Sequence, residues 1–147
     1  LADYAVYLGA EDWRHPEWVG ELYPEEMPEE WHLAYYGSQF RCVYLERAVW
    51  SAASPEVRAQ WAEDVPAGFR FLLEGAGPEA VVPGGRAVPV AGRDDPRLLW
   101  FGAGDDLRAL AAGIRARASG EGLYLLSRDG DLKRIEEMQT LVELLGL

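Results

Sequence analysis

Cysteine is nearly absent from this 147-residue chain. Cys42 stands alone, so no internal disulfide can form and a disulfide-stapled secreted scaffold is excluded. Basic charge is also scarce: 14 Lys and Arg face 25 Asp and Glu, for a formal charge of -11, a field that repels polyanions. Nucleic acid is therefore disfavoured as a partner, a local arginine patch being the one route left to it. Lys133 is the only lysine and every other basic residue is Arg, a bias that carries no function by itself. No apolar run approaches the roughly 20 residues that span a bilayer, so no membrane partner is expected. The opening LADYAVYLGAEDW lacks the basic start and long apolar stretch of a signal peptide, and a cytoplasmic, reducing location is the expectation. Because the chain opens at Leu1 and not at Met, a few further residues are expected upstream.

What is present is a core-forming sequence: 49% hydrophobic and 12% aromatic residues suffice for one packed domain spanning 1–147. YAVYLG, Tyr4 to Gly9, reads as a first buried strand. Pro28 with Glu29 and Glu30 opens a helix through EEWHLAYYGSQF, with Trp31, Tyr35 and Leu33 or Tyr36 expected in the core and His32 at the surface or its boundary. A second strand runs Cys42 to Val49, and Ser54-Pro55-Glu56 caps a helix on which Val57 and Trp61 share a face. Phe69 to Glu74 is a third strand. Residues 75–97 form a Gly/Pro-rich loop holding one short strand near Ala87 to Val90. Leu98 to Gly102 is another strand, Asp105 and Asp106 cap a helix with Leu107, Leu110, Ala111 and Ile114 as its stripe, and Leu123 to Leu126 is the last strand. A final helix from Asp131 carries Leu132, Ile135, Met138, Val142 and Leu145. Strands alternating with helices and reading as continuous apolar runs point to a largely parallel α/β sheet.

Several features stand in order along the first half: Gly9, Trp13, Pro16, Trp18, Tyr23-Pro24, the Glu30-Trp31 and Tyr35-Tyr36 pairs, Ser54-Pro55, Trp61, and Pro66-Gly68-Phe69-Phe71. In these the chain resembles the YecE-like proteins, domain-of-unknown-function family 72, and residues 98–147 are similar to that family's C-terminal portion through weaker motifs. The resemblance implies a β/α barrel of the TIM type and no established activity. An eight-unit barrel takes at least about 200 residues, so this chain is expected to be a shortened, incomplete barrel of five or six mostly parallel strands and about four helices. Its middle would be replaced by the 75–97 stretch. Such an opened sheet exposes its edges, and a homodimer is the expected cover, against a monomer closed by its own loop.

In β/α barrels chemistry sits where strands end. The resemblance directs attention to those positions, and there this chain departs from the family pattern. Where the family has Thr-Ser-Gly this chain has Ala10-Glu11-Asp12; its strand-two Glu and Asn are Tyr44 and Glu46; its Lys ending strand three is Glu74; and its paired Asn after the last strand is Ser127-Arg128. A scaffold kept with its pocket changed implies a non-catalytic binding or assembly module, with no cofactor. The alternative is a hydrolase of phosphate esters or glycosides assisted by Mg²⁺ or Mn²⁺. Its metal ligands would be Glu11, Asp12 and Glu46, its acid/base groups Glu46, Glu74 and His15, and its ligand-contacting side chains Trp13, Tyr44, Arg47 and Arg128. Tyr44 and Glu46, two apart on a strand, would share a face. Against that stands the simpler reading that these are solvated acids, and that Trp13, Trp18 and Trp50 pack loops onto the sheet. Cys42 reads as a small buried residue. Gly84-Gly85 lacks the flanking Lys-Ser/Thr of a phosphate loop, and Asp105 and Asp106 beside Gly102-Ala103-Gly104 oppose a pyrophosphate.

Overall fold

A computed structural model of the chain describes residues 4–78, 82–83, 86–118 and 122–147. The Gly84-Gly85 pair lies outside the described residues. Among the described residues there are six strands: β1 (Val6–Glu11), β2 (Cys42–Leu45), β3 (Arg70–Glu74), β4 (Ala87–Val90), β5 (Leu98–Phe101) and β6 (Leu123–Ser127). All pair in parallel, in the order β4-β3-β2-β1-β6-β5. Five α-helices accompany them among the described residues: α1 (His32–Gln39), α2 (Arg47–Ala52), α3 (Pro55–Asp64), α4 (Leu107–Arg117) and α5 (Leu132–Leu144). This is an α/β half-barrel, with the discontinuity between β4 and β5.

The two-residue strand period divides the apolar side chains between two clusters. Val6, Leu8 and Ala10 of β1, Val43 and Leu45 of β2, and Phe71 and Leu73 of β3 face the helices and join Trp61, Ile114, Ile135 and Met138. Tyr7, Cys42, Tyr44, Leu72, Val90, Leu98, Tyr124 and Leu126 form the second cluster, on the opposite, concave face. Burying each such large side chain stabilises by roughly 1.5–3 kcal/mol. The Tyr36 hydroxyl of α1 accepts from Ala10 N (2.8 Å) and donates to Cys42 O (2.7 Å), tying β1 to β2 from the helix side.

Ring contact proves the curl. Tyr44 of β2 meets Trp100 of β5 edge-to-face at 5.1 Å, although β1 and β6 lie between their strands in the sheet. The two edges approach through the segment 91–97, where Arg97 clamps Asp95 (Nε–Oδ1 3.0 Å, Nη2–Oδ2 2.8 Å) and donates to Pro89 O of β4 at 2.8 Å.

Four expectations are corrected. β1 begins and ends two residues later than read, because Ala10 and Glu11 continue the ladder with β2. β2 stops at Leu45, since Glu46 turns out as a helix N-cap whose carbonyl accepts from Val49 N (2.9 Å), and 47–52 forms a short helix that raises the helix count to five. Trp31 is 60% exposed, because a 3₁₀ turn at Glu29–Trp31 rotates it off the α1 stripe. His32 is buried instead, its ring flat on Tyr23 at 4.1 Å. The caps at Ser54, Asp106 and Asp131 each accept the expected backbone N–H.

Candidate functional site

The strand ends gather one compact set of polar side chains. Glu11 closes β1, Tyr44 stands beside it on β2 in register, Glu46 follows β2, and Glu74 closes β3. Into their midst 91–97 sends Arg93. Its Nη2 lies 2.5 Å from Glu11 Oε1 and 3.9 Å from Glu46 Oε2, and its guanidinium stands 5.3 Å from the Tyr44 ring centroid and 4.9 Å from that of Trp100. Trp100 Nε1 donates back to Arg93 O at 3.0 Å. Burial works against the guanidinium charge, but the bond to Glu11 and the fields of Glu11, Tyr44 and Glu46 outweigh it and hold Arg93 above the ordinary arginine value.

Tyr44 donates its hydroxyl to Glu74 Oε2, and Glu74 Oε1 accepts from Arg47 N at 3.4 Å. Burial first, then the bond to Glu74 and that carboxylate's charge, push the Tyr44 phenol well above its ordinary range. Arg47 itself reaches Gly75 O, and Trp50 Nε1 donates to Glu74 O at 2.9 Å. Glu11, Glu46 and Glu74 thus do draw near one another, as Tyr44 does, but arginine and tyrosine fill the space between them. Among the described residues no group of three or more His, Cys, Asp or Glu side chains is arranged to hold a metal ion.

The other sequence candidates lie elsewhere. Asp12 adopts a left-handed backbone (φ 58°) and its carboxylate accepts from Trp13 N (2.7 Å) and Arg14 N (3.0 Å), a turn-forming role. His15 Nε2 donates to the carbonyls of Glu11 (2.7 Å) and Asp12 (3.1 Å), which fixes its tautomer, and its ring stacks on Trp18 at 4.0 Å. Arg128 forms a two-pronged pair with Asp105 (2.7 and 2.9 Å), whose carboxyl that guanidinium holds down at about 2. Gly102 N and Ala103 N are taken by Asp105 and Asp129, so the Gly102–Gly104 turn presents neither donor to an anion. Trp13, Trp18 and Trp50 are buried, and Cys42 is buried with its thiol pushed up by that burial.

Trp13 and His15 line a different feature, a cleft of about 680 Å³ walled by the β1–α1 connection, the start of α1 and α3. Trp61 crosses Trp13 edge-to-face at 5.3 Å there, and His32 contributes a buried Nε2 with no hydrogen-bond partner. Sequence reasoning missed both Arg93, hidden in a loop motif of glycine and acids, and His32. Only the helical spacing of His32 from Tyr36 hinted at a buried position.

Comparison with known proteins gives one family: the model described as Protein of unknown function DUF72 matches residues 7–76. That span runs from β1 to just beyond β3 and includes Glu11, Trp13, Tyr44, Glu46 and Glu74. No curated protein and no solved structure matches.

Proposed function

The chain is a member of the DUF72 family over residues 7–76, and from that premise and the filled strand ends we propose that it is a non-catalytic binding or assembly module. One observation carries the reading: Arg93 occupies the place among Glu11, Glu46, Tyr44 and Trp100 where a barrel enzyme would hold the reacting part of its substrate. A carboxylate committed to a guanidinium is a poor ligand for a hard cation and a poor general base, because its lone pairs and charge are already compensated. Glu74, engaged by the Tyr44 hydroxyl, is similarly committed.

The test is calorimetric titration of the whole chain with Mg²⁺ and Mn²⁺, followed by a hydrolysis screen on aryl phosphates and aryl glycosides. No saturable heat and no turnover is the expected result. Saturable binding that vanishes in Glu46→Gln would overturn the proposal and make metal-assisted hydrolysis the leading function.

A further inference from the structure

The cleft at Trp13 and Trp61 is separate from the strand ends and has the makings of a ligand site. Its volume of about 680 Å³ suits a small organic molecule. Its floor is aromatic and aliphatic, from Trp13, Trp61 and Leu33, while Val57 at 45% exposure leaves an apolar rim open to solvent.

The second observation is His32. It is 7% exposed, lies flat on Tyr23, lines the cleft, and keeps Nε2 buried without a partner. A buried ring nitrogen without a hydrogen bond is destabilising unless something supplies one. The other such atoms among the described residues, Arg58 Nε and Arg134 Nε, belong to guanidinium groups that already bond through their other nitrogens. His32 has no such compensation in its ring nitrogen.

Charge narrows the ligand further. Glu29, Glu30 and Asp64 line the cleft, whereas its one cation, Arg14, is bound to Asp12 (3.0 Å) and lies 4.4 Å from the Trp13 ring centroid. No basic side chain among the described residues pairs with Glu29 or Glu30, both exposed. Free carboxylates beside aromatic rings favour an organic cation.

We propose that this cleft binds a small aromatic amine, its flat ring on Trp13 and Trp61, an N–H donated to His32 Nε2, and its ammonium group facing Glu29 and Glu30. This reading names a ligand for the binding module but stands apart from the strand ends, so its failure and that of the non-catalytic reading register at different residues.

The probe is tryptamine, titrated into the ¹⁵N-labelled chain while the tryptophan indole resonances are followed. Its carboxylate counterpart indole-3-propionate and the ring-N–H-free 2-naphthylethylamine serve as comparisons. Tryptamine should saturably shift Trp13 and Trp61 and leave Trp100 unmoved, with indole-3-propionate at least about tenfold weaker. His32→Leu should remove the preference for tryptamine over the naphthyl amine. Because that variant touches a buried residue, the exposed pair Glu29→Gln with Glu30→Gln gives an independent check and should weaken tryptamine by about five- to tenfold. Absence of saturation into the millimolar range, equal binding of the carboxylate, or shifts centred on Trp100 would overturn the proposal.

Discussion

Tyr44 and Trp100 touch at 5.1 Å across the concave face of a sheet in which two other strands separate them, and Arg93 covers both rings. The half-barrel is therefore filled from within, and Arg93 is as much a packing residue as an ion. Arg93→Ala removes a charge-assisted bond to Glu11, leaves Glu11 and Glu46 facing each other, and uncovers two rings. It should destabilise the chain by about 1–3 kcal/mol in urea denaturation. Arg14→Ala, whose pair with Asp12 is exposed, should cost under about 1 kcal/mol. Equal effects from the two would show that Arg93 is an ordinary surface cation.

The Asp95–Arg97 clamp makes the acid limb of stability depend on the seam between β4 and β5. The Arg97 guanidinium holds the Asp95 carboxyl down at about 2, below its ordinary value of 3.8. A depressed carboxylate contributes stability fully above its unfolded value and loses it as pH falls towards the folded one, so the contribution disappears between about pH 4 and pH 2. Urea midpoints measured across that window should fall less steeply in Arg97→Gln than in the native chain. An unchanged slope would mean that the clamp adds nothing. The Asp105 carboxyl, held down by the Arg128 guanidinium, titrates in the same direction, which leaves part of the native slope in place.

The strands and the helix caps were legible in the sequence because periodicity and capping chemistry are local. β3, β4, α3 and α5 lie within a residue or two of their reading. Trp31 and His32 exchanged roles because one 3₁₀ turn shifts a helical face by a residue, a choice that tertiary packing makes. The strand-end acids were legible as a group, since parallel strands deliver their C-terminal ends to one side. Their shared counter-ion was not: Arg93 lies 82 residues from Glu11, and nothing local in Gly92-Arg93-Asp94 says which carboxylate it will meet.

Gly9 is a close-approach position, not a flexible one. A Cβ there would lie 2.0 Å from Cys42 O and 2.8 Å from Cys42 Sγ, on the neighbouring strand that the Tyr36 hydroxyl holds in place. Backbone cannot yield that distance without breaking the β1–β2 ladder. Gly9→Ala should therefore cost more than about 4 kcal/mol or prevent folding, as read by thermal denaturation. Gly104→Ala, where a Cβ meets nothing within 4 Å, should be tolerated. Near-native stability of Gly9→Ala would refute the packing assigned to β1.

The sheet ends at β4 and β5, and these edges differ in what they offer a second copy. In β4, Pro89 has no N–H to give and its carbonyl is taken by Arg97, both of which discourage strand addition. β5 carries no proline and has β6 on one side only among the described strands. Its first residue is capped, Leu98 N donating to Asp95 O and Leu98 O accepting from Arg117, both at 2.9 Å, so any pairing would use its later half. A two-fold pairing of β5 with its counterpart would be antiparallel and self-complementary, as a closed dimer interface requires. Sedimentation equilibrium should then give about twice the 16.4 kDa chain mass at tens of micromolar, with β5 amides exchanging more slowly as concentration rises. A chain that stays monomeric at those concentrations would show that segment 91–97 closes the half-barrel unaided, through the bond from Arg97 to Pro89 and the Trp100 ring over Tyr44.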